Sequence, residues 1–142
     1  MIKKILVAVD GSSYTEKTLT MACELASALV AELHLIYVSP VDQLFMSLGP
    51  AALLAQKTDF EEVANEVMSH VSLRAKHLGC PLAGSYHELG EPGRLIVEKA
   101  NQIDADLIVL GSQGHSDLSG ILIGSVSHRV THLARCATLV VR

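Results

Sequence analysis

The sequence predicts an α/β protein: a parallel sheet with helices packed on both of its faces, in three layers α/β/α. Three observations carry this. Short, nearly all-apolar runs rich in β-branched residues recur at 2–9, 33–38, 106–110 and 138–141. Segments with apolar residues at helical spacing lie between them, and a more polar strand-like stretch occupies 82–88, so the order reads βαβαβαβαβ. Strands without a polar face must be covered on both sides, which marks parallel pairing rather than an open antiparallel sheet. The chain has 142 residues and is 49% hydrophobic, a size that fits one domain over residues 1–142 with a core of its own.

The first strand, 2–9, ends at the turn pair Asp10-Gly11. Ser13 and Glu16 then have the spacing of a capping box, opening a helix over 14–30 with Leu19, Cys23, Ala26 and Val30 turned inward. The second strand, 33–38, is closed by Ser39-Pro40, and 40–52, with two prolines and a glycine, reads as a loop. A long helix is expected over 53–78, with Phe60, Val63, Val67, Val71 and Leu78 as its apolar stripe, stopped by Gly79 and Pro81. The polarity of 82–88 suits a place near a sheet edge. Gly90-Glu91-Pro92-Gly93 starts a helix carrying Ile96, Ala100 and Ile103 inward, followed by a strand at 106–110, a helix at 125–134 and a last strand at 138–141.

Composition excludes several classes of function. Net charge is −4, no basic tract occurs and aromatics are 4%, which argues against a nucleic-acid partner needing a cationic face and stacking rings. No apolar run approaches the ~20 residues of a membrane span. The apolar stretch at 5–9 ends at Asp10, too short for a signal peptide core. Cys23, Cys80 and Cys136 are odd in number, widely spaced and without a CxxC pair, as expected of reduced, buried thiols in a cytoplasmic protein. His128 and His132 share a helix face, but no carboxylate or cysteine at suitable spacing completes a zinc set, so no metal site is expected. Glu61, Glu62 and Glu66 read as a solvated helix face.

The chemistry is concentrated in the stretch GSQGHSDLSGILIGS at 111–125. It joins the apolar strand at 107–110 to the helix-like run at 126–134. Glycines between a strand end and a helix start let the backbone approach a phosphate, whose oxygens then accept from the amides of the turn and of the helix N-terminus. The spacing of Gly111, Gly114 and Gly124-Ser125 reproduces the pattern G-x2-G-x9-G-[S/T], and here the sequence resembles the ATP-binding universal stress proteins. ILVAVDGS at 5–12, Tyr37-Val38, Gly90-Glu91-Pro92, DLIVLGSQG at 106–114, GSVS at 124–127 and TLVV at 138–141 extend the resemblance over the whole chain.

The resemblance implies a Rossmann-like fold of the adenine nucleotide alpha hydrolase type, with five parallel strands in the order 3-2-1-4-5. It implies that Gly111, Gly114, Gly124 and Ser125 hold phosphates and ribose, with the backbone at Val126 and the Ser127 hydroxyl completing the cradle. Asp10 would contact the adenosine portion, flanked by Ala8 and Val9, and Val38 would lie against the base. Many ATP-binding relatives carry a basic residue or histidine where this chain has Gln113. A neutral amide cannot neutralise a triphosphate, so Gln113, with His115 just beyond, points to modest affinity or to a larger part for Mg²⁺.

The implied function is a cytoplasmic, regulatory ATP-binding module of the stress response, homodimeric through the last strand at 138–141. The alternatives are a slow Mg²⁺-dependent ATPase and a partner-binding protein with a vestigial or cyclic-dinucleotide pocket. For hydrolysis only His115 and Asp117 stand near the loop, and GxxxxGK[ST], SGGxDS and HxGH are all missing from the sequence. A receiver domain needs a phospho-accepting aspartate after the third strand, where this chain has His87-Glu88-Leu89.

Overall fold

The computed structural model describes residues 1–114 and 123–142. Its elements are β1 (Lys4–Val9), α1 (Thr15–Leu29), β2 (Glu32–Pro40), α2 (Gln43–Ser47), α3 (Pro50–His77), β3 (Gly84–Gly90), α4 (Pro92–Gln102), β4 (Leu107–Gly111), α5 (Ser125–Leu133) and β5 (Ala137–Val141). All neighbouring strands are parallel, in the order β3-β2-β1-β4-β5. The chain steps outward from β1 to β3, then returns to the other side of β1 for β4 and β5. Ile5 stands opposite Leu33 on one side and Leu107 on the other, and Ala8 opposite Ile36 and Leu110.

Side chains that alternate along a strand divide the core in two. Ile5, Val7 and Val9 of β1 join Leu33, Leu35 and Val109 against Leu19, Cys23 and Ala26 of α1 and Val71 and Ala75 of α3. Leu6 and Ala8 join Ile36, Val38, Ile108 and Leu110 against Ile96, Val97 and Ala100 of α4 and Val130 of α5. The more polar third strand takes one edge of the sheet, as its composition suggests.

Four local expectations are corrected. Ser13 and Glu16 form no capping box: Tyr14 is the N-cap, without a side-chain cap bond. The Glu16 carboxylate instead accepts from Arg74 Nε of α3 at 2.6 Å, while Thr15 Oγ1 and Ser12 Oγ accept from the amides of Gly11 and Tyr14. The expected loop at 40–52 is mostly ordered. β2 runs to Pro40, α2 is capped by Asp42 Oδ1 accepting from Phe45 N at 2.6 Å, and α3 starts at Pro50. Proline at the first helical turn lacks only an N–H that has no intrahelical acceptor there, so it starts this helix rather than breaking it.

On α3 the buried positions are Ala64, Val71 and Ala75, and Val63 is 52% exposed. Val67 and Leu78 pack half-buried against the same core as Val71, as the stripe predicts, so the correction is confined to Val63, with small alanines letting the helix lie close. Val30 is the left-handed C-cap of α1 (φ 55°) and is exposed, because that turn swings the side chain out of the helical stripe.

The β2–β3 edge is joined by polar side chains. On the α3 face, Ser39 Oγ and His87 Nε2 hydrogen-bond at 2.8 Å, and the His87 ring stacks on Tyr37. On the other face Lys99 Nζ of α4 pairs with Glu88 at 3.0 Å and lies over the Tyr86 ring. Burial pushes the His87 pKa below its ordinary 6.5, against the opposing pull of Glu61 and Glu88.

Two predictions follow from this packing. Ile108 is fully buried at the centre of β4, so Ile108→Ala should lower unfolding stability by about 2–5 kcal/mol in urea denaturation. His87 binds its proton less readily folded than unfolded, so the unfolded state takes up more protons below the ordinary 6.5. Stability should be full above that pH and fall as pH drops through 6.5 toward the lowered folded value. His87→Gln, which keeps a hydrogen-bonding group near Ser39, should flatten this slope between about pH 7.5 and 5.5; an unchanged slope would assign it to other groups.

Candidate functional site

β1 and β4 are adjacent, yet their following segments leave toward opposite sides of the sheet, so a crevice opens beyond their carboxyl ends. It encloses about 690 Å³ of non-atom space, part of it open to solvent, a size suited to a small organic ligand. Ala8, Val9 and Leu110 line it from the strand ends. Tyr14, Thr15 and Thr18 contribute the α1 wall, and Pro40, Pro92 and Ile96 the opposite, apolar side. Gln113 and Gly114 from the glycine turn, and Val126 and Ser127 from the first turn of α5, complete the described lining with Asp10 and Gly111.

The glycine turn and α5 are held side by side through one buried residue. Ser112 is 3% exposed, and its N–H donates to Val141 O at 2.7 Å. Its carbonyl accepts from Gly124 N at 2.5 Å and from Ser127 Oγ at 2.9 Å. Gly124, buried at the N-cap, supplies no side chain to the cap, and the first intrahelical bond is His128 N to Gly124 O at 2.9 Å. The amides of Val126 and Ser127 therefore have no acceptor within the helix, and the positive end of the helix dipole lies at the cleft.

Gly111 has a steric role. A Cβ there would lie 3.0 Å from Tyr14 Cβ and 3.3 Å from both Thr18 Oγ1 and Gln113 O. Its absence allows α1 to close over the strand end and leaves a surface of main-chain atoms.

Of the residues singled out from the sequence, Ala8, Val9, Asp10, Gly111, Gln113, Gly114, Val126 and Ser127 lie around the cleft. Val38 is packed in the core with Ile36 and Leu110 rather than in the lining. Gly124 and Ser125 form the start of α5 and are not among the lining residues. His115 and Asp117 lie outside the described residues. Asp10 Oδ1 accepts from Ser12 N at 2.9 Å, so the carboxylate both folds the turn and borders the cleft. The Ser127 hydroxyl shares its one proton between the carbonyls of Ser112 and Gly124. In this arrangement it fastens the loop and can offer a ligand only lone pairs, so donation to an anion falls to the backbone.

Sequence reasoning missed Tyr14, Thr15, Thr18, Pro40, Pro92 and Ile96. A signal was present: each lies at or just after a strand end or within the first turns of the following helix, the ring of positions where such sheets bind ligands. Among the described lining residues none is a lysine, arginine or histidine. Any positive potential they offer an anion comes from amides and the helix end. Tyr37, beside this region, has its phenol pKa raised by burial, with Asp10 adding to the shift and Ser39 opposing it. The described residues contain no cluster of three or more His, Cys, Asp or Glu placed to hold a metal ion, and none of their helices is long and apolar enough to cross a membrane.

Comparison with known proteins agrees with this architecture. The chain is 33% identical to universal stress protein YxiE of Bacillus subtilis over the full length of both. Its fold superimposes on that of hypothetical protein MJ0577 with a TM-score of 0.86 at 27% identity, covering 99% of this chain and 96% of the other. A universal stress protein solved in complex with cAMP shares the fold at a TM-score of 0.76 and 24% identity, covering 99% and 97%. The universal stress protein family model matches residues 1–142, and the chain belongs to that family.

Proposed function

We propose that this chain, as one domain, is an adenine-nucleotide-binding member of its family, with ATP and Mg²⁺ as the ligand and a regulatory rather than catalytic role. The observation that carries the reading is the clamp at Ser112, which sets the Gly111–Gly114 turn beside the open amides of α5 at the mouth of an apolar cleft. A nucleoside has an apolar face and a polar rim, and this cleft offers both. The base and ribose fit against Ala8, Val9, Leu110 and Pro40, with Asp10 as acceptor for a hydroxyl or amino group. The phosphates fit at Gly111, Gln113 and Gly114, where the amides of Val126 and Ser127 donate. Val38 backs the base-binding side from the core, and Gly124 and Ser125 shape the helix start. His115, next after the second glycine, is included as a phosphate contact.

The described lining contributes a carboxylate and no cation. A triphosphate held by amides alone keeps most of its charge, so Mg²⁺ supplies the counter-charge and affinity depends on it. Hydrolysis needs a positioned water, a base and charge stabilisation, and the geometry supports binding more than turnover. The cAMP-bound relative makes adenosine monophosphates a ligand class to compare directly with ATP.

Calorimetry with ATP, ADP and AMP, with and without Mg²⁺, tests the reading. Wild type should bind, with ATP gaining most from Mg²⁺. Gly111→Val, which fills the gap against Tyr14 and Thr18, should weaken binding at least about tenfold, or ~1.4 kcal/mol. Folded wild type giving no heat with any of the three nucleotides would overturn it.

The edge strand β5 supports a homodimer. Thr138, Leu139 and Val140 are only half-buried in the single chain, and an apolar edge of this kind is stabilised by pairing with a second copy. Val140→Pro should shift sedimentation toward monomer with the circular dichroism of the fold retained, whereas an unchanged dimer would place the interface elsewhere.

A further inference from the structure

In sequence the three cysteines read as separate buried apolar residues, but the fold brings two of them together. Cys23 on α1 is 3% exposed and Cys80, just after α3, is 8% exposed, and both belong to the core cluster on the α1/α3 face. Local structure builds this approach. Gly79 turns the chain at φ 76°, Cys80 N donates to Ala75 O at 2.9 Å, and Ala83 N donates to Leu33 O at 2.8 Å. The segment is thereby folded back beneath α1. Ala26, one helical turn beyond Cys23, lines a surface groove together with Cys80, Gly79 and Pro81. Close by, Arg74 and Glu16 pair across α3 and α1.

The Cys23 thiol is pushed up to about 12, by burial first and then by the neighbouring Cys80 thiol. Arg74 opposes this shift and Glu16 adds to it. Cys136 packs against the other core, across the sheet, so it is an internal control.

We propose that Cys23 and Cys80 are an oxidation site, which a hydroperoxide converts into an intramolecular disulfide joining α1 to the segment after α3. Cys80 lines the groove and Cys23 does not, so the oxidant reaches Cys80 first. Its thiolate attacks one peroxide oxygen, an S–O bond forms, the O–O bond breaks, and the departing oxygen leaves as water or alcohol after taking a proton. Cys80 is then a sulfenic acid. The Cys23 sulfur attacks the Cys80 sulfur, the S–S bond forms, and the hydroxyl leaves as water with the Cys23 proton. With hydrogen peroxide the sum is two thiols and one peroxide giving one disulfide and two waters. Because burial holds Cys23 as a thiol, the second step accelerates as pH rises.

The test is intact-mass and peptide mapping of the full chain after hydrogen peroxide, with denaturation in N-ethylmaleimide to label remaining thiols. The expected product has lost about 2 Da, the two thiol hydrogens, and takes up label only at Cys136. Its digest contains one peptide pair linked through Cys23 and Cys80, and dithiothreitol restores all three thiols. Cys23→Ser should instead leave Cys80 as a dimedone-reactive sulfenic acid. Wild type with all three cysteines still labelled, a bond to Cys136, or sulfinic acid at Cys80 beside a reduced Cys23 would each overturn the proposal. The wild-type measurement is decisive even if the variant does not fold.

Discussion

From Ile5 to Val9 every side chain of β1 is buried, three facing α1 and α3 and two facing α4 and α5. A strand with no exposed face must lie at the centre of a covered sheet, flanked on both edges, and β2 and β4 take those places. The chain therefore steps to one side of β1, returns, and steps to the other. That reversal parts the loops after β1 and β4, and the cleft lies in the gap. Burial of one five-residue run thus fixes where the cleft opens.

Within the cleft, a single carbonyl ties the glycine turn to the helix start. Ser112 O receives the Gly124 amide and the Ser127 hydroxyl, while its own N–H is tied to the end of β5. The strand end, the glycine turn, the helix start and the edge strand share one buried node. Such a node suits a site whose described lining contains no cation, because amide dipoles hold an anion only where they are fixed in orientation beforehand. Asp10 adds negative charge to the same lining.

The periodic elements were legible because periodicity is local: the five strands, α1, α4 and α5 were read near their observed bounds. The errors fall where a distant partner competes with a local rule. Glu16 left its capping box for Arg74, 58 residues on, and on α3 Ala64 and Ala75 are buried where Val63 is exposed. Ser127 shows the same at the site. Its hydroxyl was expected to complete an anion cradle, and its proton is shared between the carbonyls of Ser112 and Gly124.

By itself the sequence determined the layered α/β class, the succession of elements, the glycine-lined turn and the family resemblance, since each follows from residue types at short, regular separations. Tertiary structure alone decided that Tyr14 stands across one cleft from Pro40, Pro92 and Ile96, that Val38 belongs to the core, and that Cys23 and Cys80 share one core cluster. Those relations join residues from different elements, and their distances are set by how the two layers of helices settle on the sheet.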